Sequence, residues 1–329
     1  VFRIIKWFLI LILLAGLSIG AYTAYKLISV GNSVFQGNII DIFNNVQPLK
    51  EDKNGRSNFL IFGTAEDDPG HDASYLTDSM MVVSVSQEKK DVYIFSVPRD
   101  LEVDYGGHCT NKKWRGKINE YYNCVNDVAD DTESDAIAAE QERLLEMQKL
   151  VGSVYGIDIQ YAAHVNYTVL KEVVDAVGGI DVYIEGSAGE SGILDRNADW
   201  RCNYTCFYVK YDNGVHHLDG EHALYLALAR GSNEDGHGTY GLSRSNPDRE
   251  ANQQKILIAL KDKALSSGAL TNLGTVLSLV DSLGNNLRTN IQTNEISTIL
   301  QIAGSIKTEN MYSIDLIEEG VMDGEGNPT

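Results

Sequence analysis

The segment Asn246-Pro247-Asp248-Arg249-Glu250-Ala251-Asn252-Gln253-Gln254 has residue types and spacing suited to gripping an anion. Asn246 is a good N-cap and Pro247 suits the first helical position, so the spacing predicts a helix that starts here. Arg249 then falls in the first turn, where a cation opposes the helix dipole unless an anion lies between them. The free N–H groups of a helix start already favour phosphate, and Gln253 follows one turn later on the same face. The alternative for Arg249 is an exposed arginine paired with a surface acid.

Four other segments place a polar side chain at the end of a buried element. Asp78 directly precedes an apolar run beginning at Ser79. Arg99-Asp100 follow one that ends at Val97-Pro98. Lys117-Ile118-Asn119 come after a loop, and Arg230 ends a helix. Taken singly, each reads as a solvated edge. Together with Arg249 and Gln253 they supply a carboxylate and several cations, a set that suits a magnesium-bound pyrophosphate. The metal takes carboxylate and phosphate oxygens, and the cations neutralise the remaining charge. Walker A and His-Glu-x-x-His motifs are absent, and the seven histidines form no ligand pattern.

The elements that must position these residues follow from hydrophobic patterning. Apolar runs at 59–63, 80–85 and 92–97 read as strands, the last two joined as a hairpin across Gln87-Glu88-Lys89-Lys90. Residues 101–131 read as loop, with Asp127, Asp130 and Asp131 as a solvated acidic group. Helices are expected at 134–154, 167–177, from an Asp219 cap to Arg230, at 247–266, 273–283 and 293–302. Strands are expected at 162–165, 180–184 and 311–316. This interleaving predicts a layered α/β domain with a central mixed β-sheet flanked by helices.

Residues 7–30 carry no charge before Lys26 and are long enough to cross a bilayer. Arg3 and Lys6 precede them, so one transmembrane helix is expected, with a cytoplasmic N-terminus. A cleaved signal peptide is the competing reading. The chain starts at Val1 rather than methionine, and a few cytoplasmic residues are expected to precede it. The expected layout is a stub and anchor at 1–30, a stalk at 31–56, an extracytoplasmic domain at 57–320 and a polar tail at 321–329. Cys109, Cys124, Cys202 and Cys206 all follow the anchor, which favours disulfides over zinc, although three pairings are possible. The net charge of the 329 residues is −19, and the first 30 hold three cations and no acids. So acidic a chain argues against nucleic acid, and an anion site must be a local basic cluster set against the overall field.

Six motifs occur in order: Thr77-Asp78-Ser79-Met80, Ser96-Val97-Pro98-Arg99-Asp100, Lys117-Ile118-Asn119, Val174-Asp175-Ala176-Val177-Gly178-Gly179-Ile180, Leu218-Asp219-Gly220 with Ala223-Leu224, and Arg249 with Gln253-Gln254. From about residue 58 to 265 the chain resembles the LytR-CpsA-Psr (LCP) family of bacterial cell-envelope proteins. The resemblance implies a cell-membrane transferase that takes a glycopolymer, with one phosphate, from a polyprenyl-pyrophosphate carrier. The acceptor is peptidoglycan or a related wall glycan, and the lipid occupies an apolar tunnel beside the sheet. It implies that Asp78 holds Mg2+ (or Mn2+), with a second metal-binding acid upstream, for which Glu66 is chosen over Asp67 and Asp68. Arg99, Lys117, Arg230, Arg249 and Gln253 would grip the pyrophosphate, and Asp100 would help activate the acceptor hydroxyl. Leu76, Leu228 and Asn252 stand where the family usually has arginine, and Arg244 is the expected compensating cation. A lipid-pyrophosphate hydrolase and a polyprenyl-phosphate-binding protein without turnover are the competing readings.

Overall fold

The computed structural model describes residues 46–68, 74–109, 112–125, 133–231, 238–268, 286–316 and 319–320. The apolar segment 7–30, the acidic group at 127–131, the expected helix 273–283 and the tail 321–329 lie outside them. Among the described residues no helix is long and apolar enough to cross a membrane.

The first three strands are β1 (Arg56–Gly63), β2 (Ser79–Ser86) and β3 (Asp91–Ser96). A short antiparallel pair follows, β4 (Glu102–Asp104) and β5 (Arg115–Lys117), and then α1 (Tyr121–Val125). These last three elements lie in the stretch read as loop. Their runs are too short for periodicity to reveal, and the buried rings of Tyr105, Tyr121 and Tyr122 anchor them. Next come α2 (Glu133–Tyr155), β6 (Tyr161–Val165), α3 (Tyr167–Ala176) and β7 (Ile180–Ile184). A hairpin of β8 (Gly192–Asp195) and β9 (Val209–Asp212), which patterning did not reveal, precedes β10 (Gly214–Leu218) and α4 (Gly220–Leu228). The chain continues through α5 (Asn246–Ser266), β11 (Arg288–Thr289), α6 (Ile296–Ser305) and β12 (Met311–Ile314).

The main sheet has the order β11-β6-β1-β2-β3-β12, with β1–β6 and β3–β12 parallel and the other pairs antiparallel. Period-two alternation gives the sheet two apolar faces. Leu60, Phe62, Met80 and Val82 pack with α1 and α2. Phe59, Ile61, Met81 and Ile94 pack with Leu257 and Ile258 of α5 and Ile302 of α6. A second cluster joins β7 and β10 to α3, α4 and α5. There Gly220 lets α4 approach α3, because a Cβ would lie 2.2 Å from the Lys171 carbonyl oxygen. The expected layered α/β domain with a central mixed sheet is thus observed. Residues 46–55, expected as the end of a stalk, pack on the domain: Leu49 is buried and Gln47 N–H donates to the Asn294 carbonyl (2.9 Å).

Register alone gathers the polar ends. In the β1–β2 and β2–β3 pairings Gly63 faces Ser79 and Met81 faces Ser96. The start of β2 and the ends of β1 and β3 therefore share one edge of the sheet, and Gly63 opposite Val165 brings the end of β6 there too. Asp78, Arg99 and Asn166 extend from this edge. Asn166 caps α3 through Val169 N–H (3.1 Å), while Asp67 accepts from the N–H groups of Tyr167 (3.1 Å) and Thr168 (2.7 Å).

A buried polar knot fixes α2 to this edge. Glu140 accepts from Tyr122 Oη (2.6 Å) and Arg143 Nη1 (3.4 Å), and its Oε1 lies 3.0 Å from His164 Nδ1. His164 Nε2 lies 2.8 Å from Thr64 Oγ1 at the end of β1. Burial would raise the Glu140 pKa, but His164, Tyr122 and Arg143 together hold it below its ordinary 4.5. Its stabilising effect is therefore present above pH 4.5 and is lost as pH falls through the lower folded value. Glu140→Gln is expected to cost about 3 kcal/mol at pH 7, since it removes the buried carboxylate that meets Tyr122, Arg143 and His164. Denaturant titrations across pH should also show a shallower acid limb in this variant.

Candidate active site

A cavity of about 560 Å³ opens at the gathered edge. Its deeper wall is apolar: Ile61 and Met81 from the sheet, Val169, Leu170 and Val173 from α3, Leu224 and Leu228 from α4, and Ile256, Leu257 and Leu260 from α5. Its polar wall carries four arginines, Arg99, Arg201, Arg230 and Arg249, together with Asp68, Asp78, Asp195 and Gln253.

Arg99 Nη1 pairs with Asp78 Oδ1 (2.7 Å), and Asn119 Nδ2 donates to the same oxygen (3.2 Å). Arg249, 5% exposed, donates from Nη2 to the Asp78 carbonyl (3.1 Å). Burial, and then the like charge of Arg99, lower the Arg249 pKa. The buried Nε atoms of Arg99 and Arg249 and the Oδ1 of Asn119 have no hydrogen-bond partner among the described residues. Such orphans are rare in interiors and mark where a ligand would satisfy them.

Of the residues expected to converge, Asp78, Arg99, Arg230, Arg249 and Gln253 do so. The start of α5 differs by one residue. Ser245, at φ 59°, occupies the cap position without a side-chain capping bond, and the Asn246 amide donates instead to Asp100 Oδ2 (3.1 Å). Gln253 lines the cavity, but its amide is committed: Nε2 donates to the Ala227 carbonyl (2.9 Å) and Oε1 accepts from Ser79 Oγ (2.9 Å). It clamps α5 to α4 and β2. Lys117 stands outside the cavity wall and pairs with Asp100 Oδ1 (2.5 Å). Burial works against the charge on Asp100, yet Lys117 and Arg99 hold its pKa below the ordinary value. A depressed pKa makes Asp100 a weak base.

Two expected residues lie elsewhere. Glu66 is not in the cavity wall; it ion-pairs with Arg288, whose pKa burial pushes down to about 10 and which needs a counter-charge. Asp67 caps α3, as described, so Asp68 is the upstream acid that reaches the cavity, where it pairs with Arg201. Arg244, the expected compensating cation, does not line the cavity. Its guanidinium pairs with Asp248 (2.9 Å) and Asp315 (2.7 Å), away from the cavity wall. The added cation is Arg201, in the connection between β8 and β9 closed by the Cys202–Cys206 disulfide; Cys109–Cys124 is the other bridge. The signal in the sequence was its place beside a closely spaced cysteine pair. Among the described residues one group of three metal-type side chains lies within mutual reach, Asp199, Cys202 and Cys206, and both thiols are spent in the disulfide.

On the other side of Arg99 and Asp100, a small cavity of about 100 Å³ is lined by Glu250 and Asp315. Burial pushes Glu250 up to about 7 against the pull of Arg249, with Asp315 and Asp100 adding to the rise.

One cavity of this α/β domain thus joins an apolar wall to clustered arginines and carboxylates, a lining whose chemistry suits an amphiphile with an anionic head. Comparison with known proteins gives the family: LytR_cpsA_psr matches residues 30–327, and the chain belongs to it. It is 25% identical to the polyisoprenyl-teichoic acid–peptidoglycan teichoic acid transferase TagV of Bacillus subtilis (strain 168), over 96% of this chain and 71% of that one. It is 26% identical to TagU of Bacillus cereus (strain AH820), a transferase of the same description, over 85% and 76%. The fold is that of the crystal structure of B. subtilis TagV (TM-score 0.54, 22% identity, 80% and 84% covered). It is shared by a structure described as TagT bound to LIIa-WTA (TM-score 0.55, 19% identity, 84% and 82% covered).

Two outcomes follow from these placements. Glu66→Gln should lower stability by about 2 kcal/mol by removing the nearer carboxylate of Arg288 and leaving it the longer contact to Glu140 Oε1 (3.8 Å), measured by denaturant titration, while leaving affinity for inorganic pyrophosphate unchanged. Glu250 keeps its proton to about pH 7 in the folded state but would release it near 4.5 when unfolded, so stability falls as pH rises between these values. Glu250→Gln should abolish that fall and stabilise the protein at pH 8 by on the order of 2 kcal/mol.

Proposed function

We propose that this chain is a membrane-anchored transferase. It moves a phosphorylated glycopolymer from a polyprenyl-pyrophosphate carrier to peptidoglycan or a related cell-wall glycan. The observation that carries this reading is the continuity of one cavity, apolar at depth and ringed by Arg99, Arg201, Arg230 and Arg249 at its polar wall. The polyprenyl chain suits the apolar part and the diphosphate suits the arginines. The naming of the TagV and TagU relatives as teichoic acid transferases supports the same class of donor and acceptor. The apolar segment 7–30, with Arg3 and Lys6 before it, supports a single-pass anchor with the domain on the extracytoplasmic side.

The reaction breaks the bond between the two phosphates. An acceptor hydroxyl attacks the glycan-side phosphorus, and polyprenyl phosphate leaves with the bridging oxygen. Negative charge builds on phosphate oxygens, and fixed cations in a water-poor site stabilise it. Arg99 and Arg249 suit this role because each has a buried Nε without a hydrogen-bond partner among the described residues, the nearest carboxylate to Arg99 Nε being Asp100 at 3.6 Å. Asp100 positions Lys117 and Arg99. Its low proton affinity gives it at most a weak part in activating the acceptor.

The residues present fit a divalent cation. Asp78 and Asp68 both border the cavity, and the unpartnered Asn119 Oδ1 is a neutral oxygen beside Asp78. Oxygen donors of this kind suit Mg2+ or Mn2+, completed by phosphate oxygens. Bound there, the ion would neutralise phosphate charge as a Lewis acid.

The test incubates detergent-solubilised full-length protein with lipid-pyrophosphate-linked glycan, a peptidoglycan acceptor and Mg2+. Wild type should transfer glycan, with Arg99→Ala and Asp78→Ala each slower by about 10²–10³-fold. Wild-type transfer no faster than these variants would refute the proposal. Release of phosphorylated glycan without acceptor would mark a hydrolase instead.

A further inference from the structure

Arg201 reaches the cavity from an unusual support. It belongs to a single 3₁₀ turn, Asp199–Cys202, in the connection between β8 and β9. Its guanidinium lies over the Trp200 ring (4.4 Å to the centroid) and 5.9 Å from that of Tyr225, and it ion-pairs with Asp68 at the same wall. Tyr167 and the Arg99–Asp78 pair line the same cavity as Arg201 and Asp68.

The turn is held against its backbone preference. Asn203 and Tyr204 are consecutive non-glycine residues at positive φ (52° and 59°), a region that disfavours a bulky side chain such as tyrosine. Two devices oppose relaxation. Asp199, fully buried, accepts from Arg196 Nε (2.6 Å) and Tyr208 N–H (3.1 Å). The Cys202–Cys206 bridge closes the turn one residue after Arg201.

We propose, building on the transferase reading, that Arg201 is a binding residue for the donor diphosphate and that the Cys202–Cys206 bridge holds it at the cavity. The planar guanidinium, stacked on Trp200, can present a fork of N–H donors to a phosphate. Asp68, its present partner, would then be available to hold a divalent cation. Donor binding consequently depends on the oxidised state of a bridge that lies outside the reacting groups.

The experiment measures affinity for farnesyl pyrophosphate by calorimetry on the detergent-solubilised full chain. Arg201→Ala should weaken binding by roughly 10- to 100-fold, as expected for one charge-assisted contact. Arg201→Lys should recover part of the loss. The paired substitution Cys202→Ser with Cys206→Ser should weaken binding of the wild type but add nothing to Arg201→Ala, since both act through one side chain. Where the paired variant fails to fold, a phosphine reductant applied to wild type and to Arg201→Ala gives the same comparison. Wild-type affinity in Arg201→Ala, with affinity lost in Arg249→Ala, overturns this inference and leaves the transferase reading intact. An additive loss on removing the bridge overturns the role of the bridge. No binding by wild type overturns both readings.

Discussion

The ion pair between Arg99 and Asp78 is the contact on which the site depends. In a chain of net charge −19, four arginines at the mouth of an apolar cavity repel one another and are costly to desolvate. Asp78 offsets this at two points, its carboxylate meeting Arg99 and its carbonyl meeting Arg249. Both contacts require Asp78 to stand at the start of β2, beside the end of β3. The antiparallel register provides that, and slipping it by one residue would turn every apolar side chain of β2 to the wrong face. The packing of the sheet and the electrostatics of the site are therefore one constraint.

What could be read from the sequence follows the range of the interactions. Asp78 and Arg99 are legible because each sits at the end of an apolar run, and strand ends in a mixed sheet converge on one edge. Arg249 and Gln253 are legible because helical spacing puts them on one face. Among Glu66, Asp67 and Asp68 the choice was invisible. Each is decided by a partner far along the chain: Arg288 takes Glu66, the N-terminus of α3 takes Asp67, and Arg201 takes Asp68. The placement of Arg244 is invisible in the sequence for the same reason, because Asp315 meets it only once β12 lies beside α5. The short elements of 101–125 and the β8–β9 hairpin escaped because three or four residues do not establish a period.

The neighbouring glutamines Gln253 and Gln254 show how a site motif can act structurally. Gln253 ties α5 to β2 and α4, while Gln254 Nε2 donates to Ser96 Oγ of β3 (2.8 Å) and its Oε1 accepts from Ser313 of β12. Two consecutive amides thus bind one helix to four elements. Arg249 points into the large cavity because this helix cannot rotate without breaking those bonds. The same rigidity turns Glu250 to the small cavity on the other side, so the first turn of α5 forms a wall between the two.

The orphaned donors also bear on why such a site should be fixed before substrate arrives. A buried guanidinium N–H without a partner costs about 1–3 kcal/mol, more where charge is involved. Arg99 and Arg249 each carry one, and the fold sustains both through the clamps on α5 and the Asp78 contacts. On the proposed reading, phosphate oxygens relieve that cost, so part of the binding energy is already built into the protein as strain in its polar network. Charge developing on those oxygens during transfer would meet donors that need not move, which is the condition under which fixed dipoles and cations favour a transition state over a ground state. A looser α5 would hydrate Arg249, lose its orphaned donor, and with it part of the preference for the more highly charged species.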